Sequence, residues 1–193
     1  MRILSFEDGK IMKEKMDKTI LVGIKINNTF IEDIFYKEIE IDGLNATEKV
    51  IEIVNEAKPI DLILLSGISY AGFNLIDSER IYEEFKIPLV IYTKKKPNNM
   101  DVLSALIKHF PDWRRRWNII KRTLKASRGI HQIKLRENEK PVYIETIGIS
   151  VDEATRILRE NTIWGRTPEP IRIAEIIAKE TSKTYIQIKQ RKG

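Results

Sequence analysis

The sequence predicts one α/β domain in three layers, a mixed β-sheet packed between helices. Three observations carry that expectation. "DLILLSGIS" (residues 61–69) and "PLVIYT" (88–93) are continuous apolar runs, the pattern of central parallel strands buried on both faces. Stretches with helical spacing precede and separate them, as the crossovers of a parallel sheet require. "TILVGIKINN" and "TFIEDIFYKEIEID" are long β-branched and aromatic stretches that meet at Asn27-Asn28, a hairpin signal that adds antiparallel strands. At 193 residues, 42% hydrophobic and 32% charged, the chain suits a single domain with a sizeable core.

In chain order, "RILSF" (2–6) is a short apolar strand ending at Glu7-Asp8 and Gly9. The hairpin follows, and Ile34, Tyr36, Ile39 and Ile41 give its second arm strand character. Ala46 to Ala57 is a helix with Val50, Ile51, Val54 and Ala57 on one face, by their three- and four-residue spacing. The apolar strand 61–69 runs into a Gly-rich turn, 77–85 is a short helix, and 88–93 is the next strand. Helices are expected at 99–109 and 112–127, with Pro111 tolerated at the start of the second. Strands follow near 130–136 and 141–147. Ser150 with Glu153 makes a capping box for a helix to about Asn161, each side chain serving the other's backbone N–H. Thr167-Pro168 opens a last helix through about Glu180, and "TYIQIK" (184–189) is expected as a terminal strand. No repeat, low-complexity tract or linker interrupts the chain, so residues 1–193 are read as one domain.

Composition excludes several chemistries. No apolar run approaches the roughly 18–20 residues of a membrane span, and Glu7 and Asp8 stand where a signal peptide needs an apolar core. The absence of Cys removes thiolate nucleophiles, disulfides and Cys-based zinc or iron–sulfur sites. His109 and His131 are the only histidines, too few for a His-rich metal site. A cytoplasmic protein without membrane partners is expected. Its Lys-, Glu- and Ile-rich composition also fits a heat-adapted source. The net charge is +6, and it is localised. Lys108, Arg114, Arg115, Arg116, Lys121, Arg122, Lys125 and Arg128 face the single acid Asp112. That segment is +7 and the remaining chain −1, a patch suited to steering a polyanion.

Familiar motifs are excluded by spacing. No G-x-x-x-x-G-K-[ST] run exists for a P-loop. Gly67 to Gly72 has one residue too many for G-x-S-x-G, and His109 or His131 would have to serve it from a remote segment. The acids are more informative. Glu7 and Asp8 end the first strand, Asp42 precedes Gly43 after the third, and Ser66 precedes Gly67 after the fourth. Carboxylates at the ends of adjacent strands are how ribonuclease H-like nucleases hold Mg²⁺ and aim a water at a phosphodiester. Acids also simply end strands where solvent begins, and spacing alone leaves both readings open.

The pieces "FEDG", "IDGLNAT", "LLSGISYAGFN", "IPLVIYTKKKP" and "GRTPEPIRIAEIIA" resemble, in order and over nearly the whole chain, an archaeal family related to endonuclease V. It is domain-of-unknown-function family 99, also called the endonuclease dU family. The resemblance implies a ribonuclease H-like fold. It also implies Mg²⁺- or Mn²⁺-dependent cleavage of DNA or RNA near a deaminated base, uracil or hypoxanthine, as in DNA repair. By the resemblance, Glu7 and Asp8 replace two aspartates of relatives, with Glu7 at the first metal position. Asp42 takes the second carboxylate position, making Glu7, Asp8 and Asp42 the expected metal ligands. Ser66 falls where relatives read Asp-Gly. Lys94, six residues after Pro88, matches a lysine that can neutralise charge on phosphate. The chain departs from endonuclease V in lacking the Pro-Tyr-Ile-Pro wedge and a matching catalytic histidine.

Leu103, Leu106, Phe110, Trp113, Trp117, Ile120 and Leu124 recur every three or four residues, so these aromatics are expected in a core or interface. Arg114, Arg115, Lys121, Arg122 and Lys125 then face outward, where cations need not bind anything but suit a phosphate backbone. Arg166, in "WGRTPEPIR", lies near a helix start that can receive an anion. Three functions stay open at this level. They are a metal-dependent endonuclease, a nucleic-acid binder with a degenerate site, and a protein-interaction module using Trp113 and Trp117 as an oligomer surface.

Overall fold

The computed structural model describes residues 1–11 and 16–192. The chain opens with β1 (Arg2–Asp8) and the hairpin β2 (Lys18–Asn27) and β3 (Phe30–Glu40). Then come α1 (Ala46–Ala57), β4 (Leu62–Leu65), the two-residue strands β5 (Ser69–Tyr70) and β6 (Asn74–Leu75), and α2 (Ser78–Phe85). β7 (Leu89–Thr93), α3 (Asn99–His109), α4 (Trp113–Ala126), β8 (His131–Ile133) and β9 (Val142–Ile147) follow. α5 (Val151–Glu160) and α6 (Glu169–Lys192) complete it.

Seven strands form one mixed sheet in the order β3-β2-β1-β4-β7-β9-β8, with β5 and β6 as a separate small hairpin. β1, β4 and β7 are mutually parallel at its centre, Phe6 lying opposite Leu65 and Leu65 opposite Ile91. Alternation along these strands sends successive side chains to opposite faces. Leu4, Phe6, Ile63, Leu65, Leu89 and Ile91 pack with Val50, Ile53, Val54 and Ile81 of α1 and α2. Ile3, Leu62, Leu64, Val90 and Tyr92 pack on the other face against α5 and Ile171 of α6. Ala174 and Ala178 of α6 cover the apolar side of β2. These are the three expected layers. α3 and α4 pack with β6 outside them, where Leu75, Leu106 and Ile120 are buried and Trp113 and Trp117 half-buried against them. The helical aromatics thus pack half-buried against this cluster, within the core-or-interface setting that their spacing implied.

Several details differ from the expectation. "TYIQIK" is the end of α6, not a strand. Tyr185 and Lys189, one helical turn apart, both reach Glu38 of β3, at 2.7 and 3.0 Å. Ile186 is 8% exposed whereas Ile188 is 49% exposed, so the Ile-x-Ile alternation does not mark a buried strand face. The apolar run 61–69 stops as a strand at Leu65, and Ser69 begins the unanticipated β5–β6 hairpin. β1 runs on through Asp8, which pairs with Leu21, so the acidic pair lies within a strand.

Candidate active site

Strand alternation separates Glu7 from Asp8. Glu7 shares the face of Ile3 and turns toward α6, whereas Asp8 shares the face of Leu4 and Phe6. On the α6 side, Glu7, Ser66, Tyr92, Thr93, Lys94 and Glu175 line a cleft of about 240 Å³ at the carboxyl ends of β1, β4 and β7. Parallel pairing of Phe6 with Leu65 is what brings Glu7 and Ser66 side by side. The Ser66 hydroxyl lies 3.3 Å from the Phe6 carbonyl and 3.4 Å from the Tyr70 hydroxyl. Buried Tyr70 donates to that same carbonyl at 3.2 Å and accepts the Ser66 N–H at 3.1 Å. Two strand ends are thereby fastened together beneath the cleft.

Burial pushes the Glu7 carboxyl up to about 8; a hydrogen bond from Ser66 opposes this, and the nearby charges of Asp8 and Glu175 add to it. Glu175 is the site residue that the sequence reading missed. It follows buried Ile171 by one turn of α6, so an acid bordering the apolar stripe of an amphipathic helix was its available signal.

Asp8 and Asp42 have different work. The Asp8 carboxylate accepts the Ala71 N–H at 2.7 Å, and the Asp42 carboxylate accepts the Phe73 N–H at 2.9 Å. Both therefore hold the turn between β5 and β6. Burial raises the Asp8 carboxyl above its ordinary range, against the hydrogen bond from Ala71. Gly72 sits in the turn at φ +85°, and a Cβ there would lie 2.2 Å from the Asp42 carboxylate. Arg116, 5% exposed, closes the other side. It donates to the carbonyls of Asp42, Gly43 and Phe73 at 2.7–2.9 Å and pairs with Asp112 at 2.9 Å. The expected set Glu7, Asp8 and Asp42 is thus divided between the cleft and this hairpin. Among the described residues, no group of three His, Cys, Asp or Glu side chains converges to hold a metal ion. What the cleft offers a cation is Glu7 and Glu175 with the Ser66 hydroxyl. Two carboxylates, one of them held above its ordinary range by burial, fit one hard divalent ion that keeps most of its waters.

A second cavity, about 270 Å³, opens at Ser66–Ser69 and is walled mainly by Ile68, Phe73, Leu75, Ile91, Ile120 and Leu124. Its polar groups include Glu145 and Thr123. Glu145 is 7% exposed, accepts from Ser127 Oγ at 3.1 Å, and has its carboxyl raised by burial. The Thr123 hydroxyl is buried without a hydrogen-bond partner among the described residues.

The cations of α4 divide by environment. Arg114, Arg115, Lys121, Arg122 and Lys125 are exposed, as expected. Arg122 is engaged by Asp77 and Glu79, and Arg114 lies over the Trp113 ring. Arg166 donates to the carbonyls of Lys94 and Pro141 at 3.1 and 3.2 Å, tying the loop before α6 to the end of β7. No helix among the described residues is long and apolar enough to cross a membrane.

Known proteins share this fold. The chain is 34% identical over 184 residues to a UPF0215 protein of Thermococcus gammatolerans, covering 92% of this chain and 90% of that one. A crystal structure of a protein of unknown function from Archaeoglobus fulgidus superposes with a TM-score of 0.77 at 32% identity, over 92% of this chain and 95% of the other. Endonuclease V of Ciona intestinalis, crystallised with DNA containing an inosine, superposes with a TM-score of 0.58 at 11% identity, over 96% and 85% of the two chains. That likeness establishes a ribonuclease H-like fold. The sequence profile of endonuclease dU matches residues 1–182: this chain belongs to the endonuclease dU family.

Proposed function

We propose that the protein is a metal-assisted endonuclease that cuts DNA or RNA beside a deaminated base, in a repair role. The observation that carries this reading is the cleft itself. Glu7, Ser66, Lys94 and Glu175 line one opening at the carboxyl ends of three adjacent parallel strands. Family membership and the likeness to endonuclease V support a nuclease-like role. In this reading Glu7 and Glu175 hold a single Mg²⁺ or Mn²⁺. When bound, the ion supplies a water of lowered pKa and a positive charge against the phosphate. Lys94 balances charge growing on the phosphate oxygens. Ser66 keeps Glu7 oriented and adds no charge of its own. Asp8 and Asp42 act one step away, fixing the hairpin next to the cleft. The cavity behind Ser66–Ser69 is the place for the altered base, with apolar walls for its faces and Glu145 and Thr123 for its edge.

A second reading, a nucleic-acid binder with a lapsed site, is favoured by one observation. Ser66 stands where a third carboxylate would complete the metal site, and no three-acid group forms among the described residues. Cleavage separates the two. Oligonucleotides with one uracil or one inosine, as DNA and as RNA, are incubated with Mg²⁺, Mn²⁺ or chelator. The enzyme reading expects slow, metal-dependent cutting, faster with Mn²⁺, and lost at least a hundredfold in Glu7→Gln. No cutting by the native chain, with activity gained in Ser66→Asp, would establish the lapsed site.

A further inference from the structure

The loop between α5 and α6 carries an exposed apolar pair that neither the fold nor the cleft accounts for. Trp164 is 76% exposed and Ile163 54% exposed, although folding normally covers part of so large a ring. The loop around them is firmly held. Thr162 Oγ1 donates to the Leu158 carbonyl at 2.6 Å, and Arg136 donates to the Ile163 carbonyl. On the other side, Tyr92 Oη donates to the Arg166 carbonyl at 2.6 Å, and Arg166 reaches the carbonyls of Lys94 and Pro141. The exposed ring is therefore mounted on a fixed base. That base is bonded to Lys94, a lining residue of the cleft.

Charge indicates the occupant. Trp164 walls a groove with Lys134, Arg136 and Arg159, against Glu137 and Glu139. Lys94, whose carbonyl Arg166 of the same loop holds, begins a run of three exposed cations, Lys94, Lys95 and Lys96, with no carboxylate partner among the described residues. Cations beside an exposed aromatic face match a strand whose phosphates and unpaired bases are both accessible; a duplex keeps its bases stacked on each other. Resting on the nucleic-acid reading above, we infer that Trp164 is a stacking platform for an unpaired base of single-stranded nucleic acid. Lys95 and Lys96 guide the strand's phosphates from that platform to the cleft.

The test is binding without cutting. Fluorescence anisotropy of a labelled twelve-residue oligothymidylate is followed in chelator, with native protein, Trp164→Ala, Trp164→Phe and the double variant Lys95→Ala/Lys96→Ala. Base–aromatic stacking is worth about 1–3 kcal/mol per base, so Trp164→Ala should bind about tenfold more weakly, whereas Trp164→Phe should stay within about threefold. Tryptophan emission should be quenched on binding by the native chain, and most of that quenching should vanish in Trp164→Phe, which retains Trp113 and Trp117. The lysine variant should flatten the slope of log K against log salt by about 1.4, at about 0.7 for each phosphate it no longer neutralises. Native-like affinity in Trp164→Ala, or a native preference for duplex over single strand, overturns the proposal and leaves the nucleic-acid reading standing. No binding of any strand by the native protein at low salt overturns that reading, and the platform with it. A Trp164-dependent dimer in sedimentation, with oligothymidylate affinity unchanged by Trp164→Ala, assigns this face to a second copy instead.

Discussion

Glu7 shows how one residue links strand geometry to chemistry. It lies at the end of a strand, so its carboxyl reaches a cleft, but Tyr70, Ser66 and α6 around it keep much of the water away. Its carboxyl titrates near 8 in place of the ordinary 4.5. The sign follows directly. A folded-state value above the unfolded one means that the native state binds the proton more tightly, so stability falls as pH rises between about 4.5 and 8 and levels off above. At about 1.4 kcal/mol per unit the ceiling is near 5 kcal/mol, and a cleft open to water should realise about half of it. In chelator, native protein should therefore lose thermal stability from pH 5 to pH 9, and Glu7→Gln should lose about 2 kcal/mol less over that interval. Denaturant midpoints across the pH series measure both, and parallel curves would refute the assignment. Glu7, Ser66 and Lys94 were legible because each lies at the end of an apolar strand run. The division of Glu7 from Asp8 was not, because it depends on β1 continuing past Phe6, and neither acid has a strand-forming side chain.

At the scale of elements, the β5–β6 hairpin explains the fate of the remaining acids. Seven residues, Ser69 to Leu75, are held by Asp8, Asp42 and Arg116. Asn74 adds bonds to the Ala46 N–H and the Glu40 carbonyl. Nothing in "SGISYAGFN" announces two-residue strands, because the turn that joins them is held by the carboxylates of Asp8 and Asp42, 63 and 31 residues away in the chain. Gly72→Ala should cost about 2–4 kcal/mol, from a Cβ meeting the Asp42 carboxylate and a left-handed φ. Urea unfolding measures it, and a cost under about 0.5 kcal/mol would contradict the turn geometry. α6 makes the complementary point. Its last turns continue the buried stripe of Ala174, Ala178 and Ser182 with Tyr185 and Ile186 and also reach Glu38, so β-branched "TYIQIK" misleads by propensity. Thr184→Pro should remove helical ellipticity and cost about 3 kcal/mol, whereas an unchanged far-UV spectrum would argue against helix there. The Ser150 cap and the α1 bounds, by contrast, were written in local sequence, where capping and spacing need no distant partner.

At the scale of the whole molecule, the sheet order gathers groups that the sequence keeps far apart. The parallel centre of β1, β4 and β7 brings residues 7, 66 and 94 to one edge, and α6 returns along that face to supply Glu175. Continuous apolar runs made the parallel centre legible. The return path of α6 was not legible, since only packing decides which strand a terminal helix covers. In the proposed function this edge, with Glu7 and Glu175, is the cation-binding centre, and Asp42 belongs to the hairpin. Water-proton relaxation enhancement by Mn²⁺, titrated into metal-free protein at pH 8.5, tests it most directly. A single weak site in the millimolar range is expected, lost in Glu7→Gln and in Glu175→Gln, retained in Asp42→Asn, and at least tenfold tighter in Ser66→Asp, where a further carboxylate faces the ion. Mn²⁺ binding unchanged in Glu7→Gln, or abolished in a folded Asp42→Asn, would contradict it.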